Sequence, residues 1–438
     1  MRKQLYLTIF AGVGIGIVLV LIVMAVSKTA PARPEAALLQ PVKSSQASVA
    51  DQSIGSAQAV IENMPDDPKG YNMLSGAFMQ KARETGDFSF NARAEEALKF
   101  SFKAAPDNYD GLKLQAALLL NYHRFAEALQ IAQKAQVLNP RDHDVYGEIV
   151  DAFVELGNYD RAVEAAQKMV DLRPDTASYS RVSYLRALHG DTKGAIDMMK
   201  MAAEAANPKN PESAAWCRVH LGDELLNDGK LKEAEHEYDH ALYLFPDYHL
   251  ALAAKARARY AAGDTEAAAS FYKRAVDRVP LPDYIAALGD LYTKLGRSDE
   301  AKQQYEQVEF IEKMGANAGT YSRQLAIFWA DHDLRLDDAL AAAERERAAR
   351  NDIYSADALA WCLYKKGRFD EAKTASGEAL RLGTRDARLL YHAGMIALST
   401  GDNQKGADYL KQALAINPTF DILQADIAKE KLNSLKGK

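Results

Sequence analysis

From Tyr71 onward the chain alternates apolar helical stripes with short turns marked by Gly or Asp, and the marks recur at a fixed interval. Gly229 and Gly263 lie 34 residues apart, as do Pro246 and Pro280, Gly367 and Gly401, and Ala379 and Ala413. Pro106, Pro140 and Pro174 continue the interval upstream. Two helices fit in each interval, so the pattern predicts an all-α solenoid of about ten helix-turn-helix units. Their expected starts lie near Tyr71, Asn108, Asp142, Thr176, Ala214, His249, Pro282, Gly319, Ile353 and Ala387. A unit of this size cannot bury its apolar face alone, and stacking on its neighbours is what completes the core.

The unit from Ala215 to Pro246 shows the arrangement most clearly, with Leu221 and Gly222, then Gly229 at the turn, then Ala234, Tyr238, Ala241 and Pro246. The next repeats it as Ala256, Gly263, Ala268, Tyr272, Ala275 and Pro280, and a third has Leu288, Gly289, Tyr292, Gly296, Ala301 and Tyr305. This resembles the tetratricopeptide repeat, here in a chain of the bacterial membrane-anchored type. Ala and Gly let helices approach at their crossings, aromatic rings fill the adjoining gaps, and a turn Gly accepts left-handed backbone. Proline then ends the second helix. Three places depart from the pattern: extra residues around Gly86 to Asn91, a lengthened connection at Asn207 to Glu212, and a unit from Gly319 to Asp352 with Leu334 where the turn Gly belongs. The solenoid is expected over 71–420. After Pro418, Ile422, Leu423, Ile427 and Leu432 predict one amphipathic helix that caps the last apolar face, as the segment 421–438.

The N-terminal end reads differently. Arg2 and Lys3 precede an uncharged run from Leu5 to Val26, 22 residues long, enough for a helix that crosses a bilayer. Residues 1–26 are therefore expected to form a signal-anchor, the length favouring retention. Ala25, Ser27, Ala30 and Ala32 leave open the alternative of a cleaved signal. Gly12 and Gly16 satisfy the small-xxx-small spacing of associating membrane helices, which would give a weak homodimer. Residues 27–70, rich in Ala, Ser and Gln, are expected to be a flexible linker. A short basic start ahead of a long apolar run places the solenoid on the periplasmic or extracytoplasmic side of a cell membrane.

Composition narrows the partners. Lys and Arg total 54 against 60 Asp and Glu, for a net charge of −6, which argues against nucleic acid. Cys217 and Cys362 are expected to be small buried hydrophobes, four units apart and beyond disulfide reach. No cofactor is implied.

Two sets of residues could carry function. His236, Glu237 and His240 satisfy H-E-x-x-H, the spacing with which two histidines bind zinc and a glutamate acts as base, so a membrane-tethered zinc metallopeptidase is one alternative. Tyr238 and Ala241 already hold packing places on that helix, which turns the two histidines outward; no catalytic or metal-ligating residue is assigned. The resemblance instead implies a concave groove lined by first helices. Its lining would include Arg181, Tyr184, His220, Asp223, Asn227, Arg257, Tyr260, Asp290 and Lys294, with a later group of Tyr354, Trp361, Tyr364, Arg388 and Tyr391. The expected function is non-enzymatic: a membrane-tethered scaffold that holds a peptide or helix of an envelope or membrane protein in that groove. A third reading is a structural stalk using convex contacts.

Overall fold

The structure, a computed structural model, describes residues 38–39, 48–315 and 322–436. Among these residues there are twenty-two helices and no strand. α1 (Val49–Asn63) comes first and is followed by ten helix pairs. The first five pairs are α2 (Pro68–Thr85) with α3 (Ser89–Ala104), α4 (Tyr109–Asn121) with α5 (Phe125–Leu138), α6 (Asp144–Glu155) with α7 (Tyr159–Leu172), α8 (Thr176–Leu188) with α9 (Thr192–Ala205), and α10 (Pro211–Asn227) with α11 (Leu231–Leu244). The other five are α12 (His249–Ala261) with α13 (Thr265–Arg278), α14 (Pro282–Lys294) with α15 (Ser298–Gly315), α16 (Ser322–Asp331) with α17 (Leu336–Ala349), α18 (Ile353–Lys365) with α19 (Phe369–Ala379), and α20 (Ala387–Ser399) with α21 (Asn403–Ile416). α22 (Gln424–Lys436) ends the series. Each first helix starts within three residues of the position expected from the repeat interval.

The linker expected over 27–70 does not extend past Ser48. There Ser48 and Asp51 form a reciprocal cap, and α1 buries Ala50, Ile54, Ala57 and Ile61 along one stripe against α2. Lys81 of α2 seals the joint, 2.8 Å from Asp51. The Ala-rich composition concealed this stripe, because alanine supplies a close-packing face without standing out as apolar. The expected membrane span and its Gly12–Gly16 pair lie outside the described residues. No helix of the described residues is long and apolar enough to cross a membrane.

Turn glycines do what the interval requires of them: Gly229, Gly263, Gly296, Gly367 and Gly401 all have left-handed backbone. In the unit without one, Asp333 (φ 53°) and Arg335 (φ 40°) take that conformation on either side of Leu334. The helix crossings are equally literal. A Cβ on Gly222 would stand 2.4 Å from the Tyr238 ring, and one on Gly289 would stand 2.5 Å from Tyr305. Each tyrosine then donates its hydroxyl to the aspartate beside that glycine, Tyr238 to Asp223 at 2.8 Å and Tyr305 to Asp290 at 2.7 Å.

Successive turns of the superhelix touch. Arg350 pairs with Glu155, 195 residues earlier, and the Asn351 N–H donates to the Glu155 carbonyl at 2.8 Å. The Ile353 N–H donates to the Tyr159 hydroxyl at 3.0 Å, and the Thr384 hydroxyl donates to the Ala187 carbonyl at 3.4 Å. Gly157 and Gly190 let the chains pass, since a Cβ would lie 2.3 Å from the Asn351 oxygen and 2.6 Å from the Gly383 oxygen respectively. Val279 packs over Gly86 at a comparable distance along the chain. One superhelical turn therefore takes about 195 residues, and the next turn lies against it.

Candidate functional site

Consecutive first helices such as α10 and α12, or α18 and α20, lie side by side and form the concave face. This face borders a half-open chamber of about 590 Å³ contributed by helices from α8 to α20 and by the segment after α21. The structure brings seven of the expected groove residues to its wall: Tyr184, Asn227, Arg257, Tyr260, Asp290, Tyr354 and Arg388. Tyr184 keeps 43% of its surface accessible there.

Several of these side chains are already engaged. The Arg257 guanidinium donates to Asp223 at 2.5 Å, bridging α12 to α10. Asp290 accepts from Tyr305 and lies 2.8 Å from the His332 ring nitrogen. Burial alone would lower the His332 pKa, but the Asp290 hydrogen bond overrides it and raises it. Arg388 reaches Asp421 at 2.9 Å, and the Tyr260 hydroxyl donates to the Ile422 carbonyl at 3.0 Å.

The other expected residues stand elsewhere. Trp361 and Tyr391 are each 1% exposed, so they do not project into a groove; they pack in the core that joins α18 to α20. The Trp361 indole N–H donates to Asp331 at 2.8 Å, its ring stacks on His392 and Tyr364, and the Tyr391 hydroxyl donates to Gln424 at 2.8 Å. Tyr364 leans on that same core. The charged framework, not the indole, is what reaches the wall. Arg181 is held in a two-pronged pair with Asp151, 2.9 and 2.6 Å, and ties α8 to α6. His220 packs against Trp216 with its ring tilted by 51°, Asp223 belongs to the crossing beside Gly222, and Lys294 pairs with Asp426.

Sequence reasoning missed Asp283, Arg323 and Asp331 on the chamber wall. Asp283 directly follows the proline that opens α14 and reads locally as an N-terminal acid. Asp283 is solvent-exposed within the chamber, and partial desolvation by the surrounding protein raises its carboxyl pKa, with Arg388 and Arg323 opposing. Burial, with Asp421 nearby, pushes Asp331 up to about 6. Burial and the adjacent Asp223 push Glu224, across the chamber, up to about 7. Carboxyls in a partly desolvated cavity are left poorly stabilised as anions.

The H-E-x-x-H residues lie on the outer side of α11. His236 is exposed, and Glu237 accepts from Arg218 at 2.9 Å. Glu266, the next glutamate along the chain that could complete a zinc site, instead lies 3.5 Å from Arg297. Among the described residues the donor atoms of Asp142, His143 and Asp144 converge, but the Lys113 ammonium already sits 2.8 Å from Asp142 and 3.2 Å from Asp144. Cys217 and Cys362 are free and buried, and burial pushes the Cys217 thiol up to about 12.

Comparison with known proteins agrees with this architecture. Profiles described as "Tetratricopeptide repeat" match residues 148–211, 220–281, 358–419 and 282–309. The protein O-mannosyl-transferase TMTC1 of Homo sapiens is 26% identical over 49% of this chain and 24% of its own length. Anaphase-promoting complex subunit 3 of Schizosaccharomyces pombe is 24% identical over 50% of this chain and 33% of its own. The chain thus spans a quarter to a third of these relatives. Among solved structures, yeast Tom70 aligns at 15% identity and TM-score 0.39, covering 89% of this chain and 93% of that one. The type IV pilus biogenesis factor PilW aligns at 17% and 0.40, over 46% and 92%. The matched profiles, the paired helices and the glycine-tyrosine crossings together make this chain a member of the tetratricopeptide repeat family.

Proposed function

We propose that this solenoid is a protein-interaction scaffold, tethered to a membrane by residues 1–26 with its repeats on the extracytoplasmic side, and that its chamber receives a segment of the partner. The observation that carries this reading is the chamber wall itself, where Tyr184, Tyr354, Glu224 and Asp283 line a solvent-filled cleft. Tyrosine brings contact area at low entropic cost, and half-desolvated acids gain most from a partner's donors.

The test is co-purification with the full-length, detergent-extracted chain. Tyr184→Ala and Tyr354→Ala are expected to weaken partner retention by roughly 2 kcal/mol each, while His236→Ala with His240→Ala leaves it unchanged. A C-terminal alkaline-phosphatase fusion is expected to be active in the same membranes. Loss of retention in the histidine variant together with release of bound zinc would replace the scaffold with the peptidase.

A further inference from the structure

The segment after α21 does more than cap the last repeat. The sequence predicts a capping helix over 421–438, but Phe420 to Leu423 are not helical and run back across the concave face before α22 begins. Asp421 reaches Arg388, while its other carboxylate oxygen accepts from the Leu423 and Gln424 amides at 2.9 Å and starts the helix. The Ile422 carbonyl takes the Tyr260 hydroxyl, 162 residues away, and its side chain packs against the apolar cluster of α12 and α14. Gln424 accepts from Tyr391 and donates to the Asp331 carbonyl at 3.2 Å. Asp426 pairs with Lys294, 132 residues away. Four residues expected to bind a partner, Tyr260, Lys294, Arg388 and Tyr391, are therefore occupied by the chain itself.

We infer that Thr419 to Asp426 is an internal strap in the partner site, and that the partner docks there by presenting an acidic, apolar-rich segment of the same chemistry. The contacts define that chemistry. Arg388 and Lys294 each require a carboxylate, five residues apart on the strap, and Tyr260 requires a free backbone carbonyl between them. The cluster beside α14 requires an aliphatic side chain at the position of Ile422. The strap is also built to lift. Ala428 and Leu432 hold α22 in the core at one end and Asn417 belongs to the last repeat at the other, so only the middle crosses the chamber. The Lys294–Asp426 pair is partly exposed, 27% and 47%, and such a pair adds little stability; at the other pair Arg388 keeps 41% of its side chain accessible while Asp421 is 12% exposed. Asp421 also sits near Asp331, where the two acids repel.

This inference rests on the reading of the chamber as a partner site, and its test is separable from that reading. A fluorescein-labelled peptide of residues 418–432 is titrated onto the full-length chain, with Asp421→Ala and Asp426→Ala together used to free the strap. Because apparent affinity scales with the fraction of open site, the double variant is expected to bind the peptide about tenfold more tightly than wild type, or better. Adding Arg388→Ala to it should abolish the gain, and a peptide carrying the same two alanines should not bind. Equal binding to wild type and double variant, or indifference to Arg388, would overturn the strap. Should the double variant lose its helical signal, hydrogen exchange of the wild-type chain decides instead. Excess peptide must then accelerate exchange at 419–426 and not in α20, and unchanged exchange overturns the inference. If the strap behaves as expected while Tyr184→Ala and Tyr354→Ala leave partner retention intact, the chamber reading fails and the strap stands.

Discussion

Gly157 and Gly229 both turn the chain between paired helices with left-handed backbone, φ 72° and 77°, yet they are under different constraints. Around Gly229 an added Cβ would meet nothing within 4 Å, whereas at Gly157 it would run into the Asn351 carbonyl of the next superhelical turn. Gly229→Ala is therefore expected to cost about 1 to 2 kcal/mol, the backbone strain alone. Gly157→Ala adds an overpacking term of about 1 to 3 kcal/mol because a backbone atom must yield. Urea unfolding of the two variants compares them directly, and equal losses would mean that the turns do not bear on each other there. The interval along the sequence makes such turn positions legible. It cannot distinguish these two, because the neighbour of Gly157 arrives from 194 residues further along the chain.

Individual helices show where local pattern sufficed and where it did not. The crossings at Gly222 and Gly289 are readable because the glycine and its tyrosine lie within one unit, and distance along the chain is short. The placement of Trp361 and Tyr391 was not: on a first helix the wall positions and the core positions differ by one step, and an indole satisfied by Asp331 is indistinguishable in sequence from one that awaits a partner. Glu148 of α6 gives a sharper test of helix placement. One of its carboxyl oxygens is buried without a hydrogen-bond partner, and burial, partly offset by Arg181, pushes its pKa up to about 7. The folded state thus keeps a proton that the unfolded chain releases near the ordinary value of 4.5. The stability this group contributes is full below that value and is lost as pH rises through about 7. Glu148→Gln is expected to match wild type near pH 4 and to exceed it by about 1 to 3 kcal/mol near pH 8. Parallel stability curves for the two proteins would show Glu148 to be ionised and solvated.

At the scale of the molecule, the contact between successive turns was not legible at all, since repeat sequences encode contacts between neighbours and these contacts join residues some 195 positions apart. Arg350 is central to them. Its guanidinium meets Glu155 of the adjacent turn, Glu346 of its own helix at 2.7 Å and Asp352 at 3.0 Å, and it lies 4.9 Å from the Phe125 ring centre. Removing the cation leaves three carboxylates crowded in a desolvated joint, so Arg350→Ala is expected to cost about 3 to 5 kcal/mol. Because the joint ties α6 to the start of α18, the variant should also unfold in separable stages, where the wild type with its turns fastened together melts as one. A single sharp transition retained in the variant, followed by circular dichroism, would show that neighbour contacts alone carry cooperativity.

The same coil-to-coil contact restricts how such a chain can change in length. An open array of repeats can gain or lose a unit anywhere, because each unit asks only for a similar neighbour on either side. Here Glu155 must arrive opposite Arg350, Tyr159 opposite Ile353 and Ala187 opposite Thr384. Inserting one 34-residue unit between them would put every one of those pairs out of phase at once, like a thread cut to the wrong pitch. The units between α7 and α17 are therefore locked in number, and the contacts of Val279 with Gly86 and of Ile422 with Tyr260 carry the same restriction toward both ends of the coil.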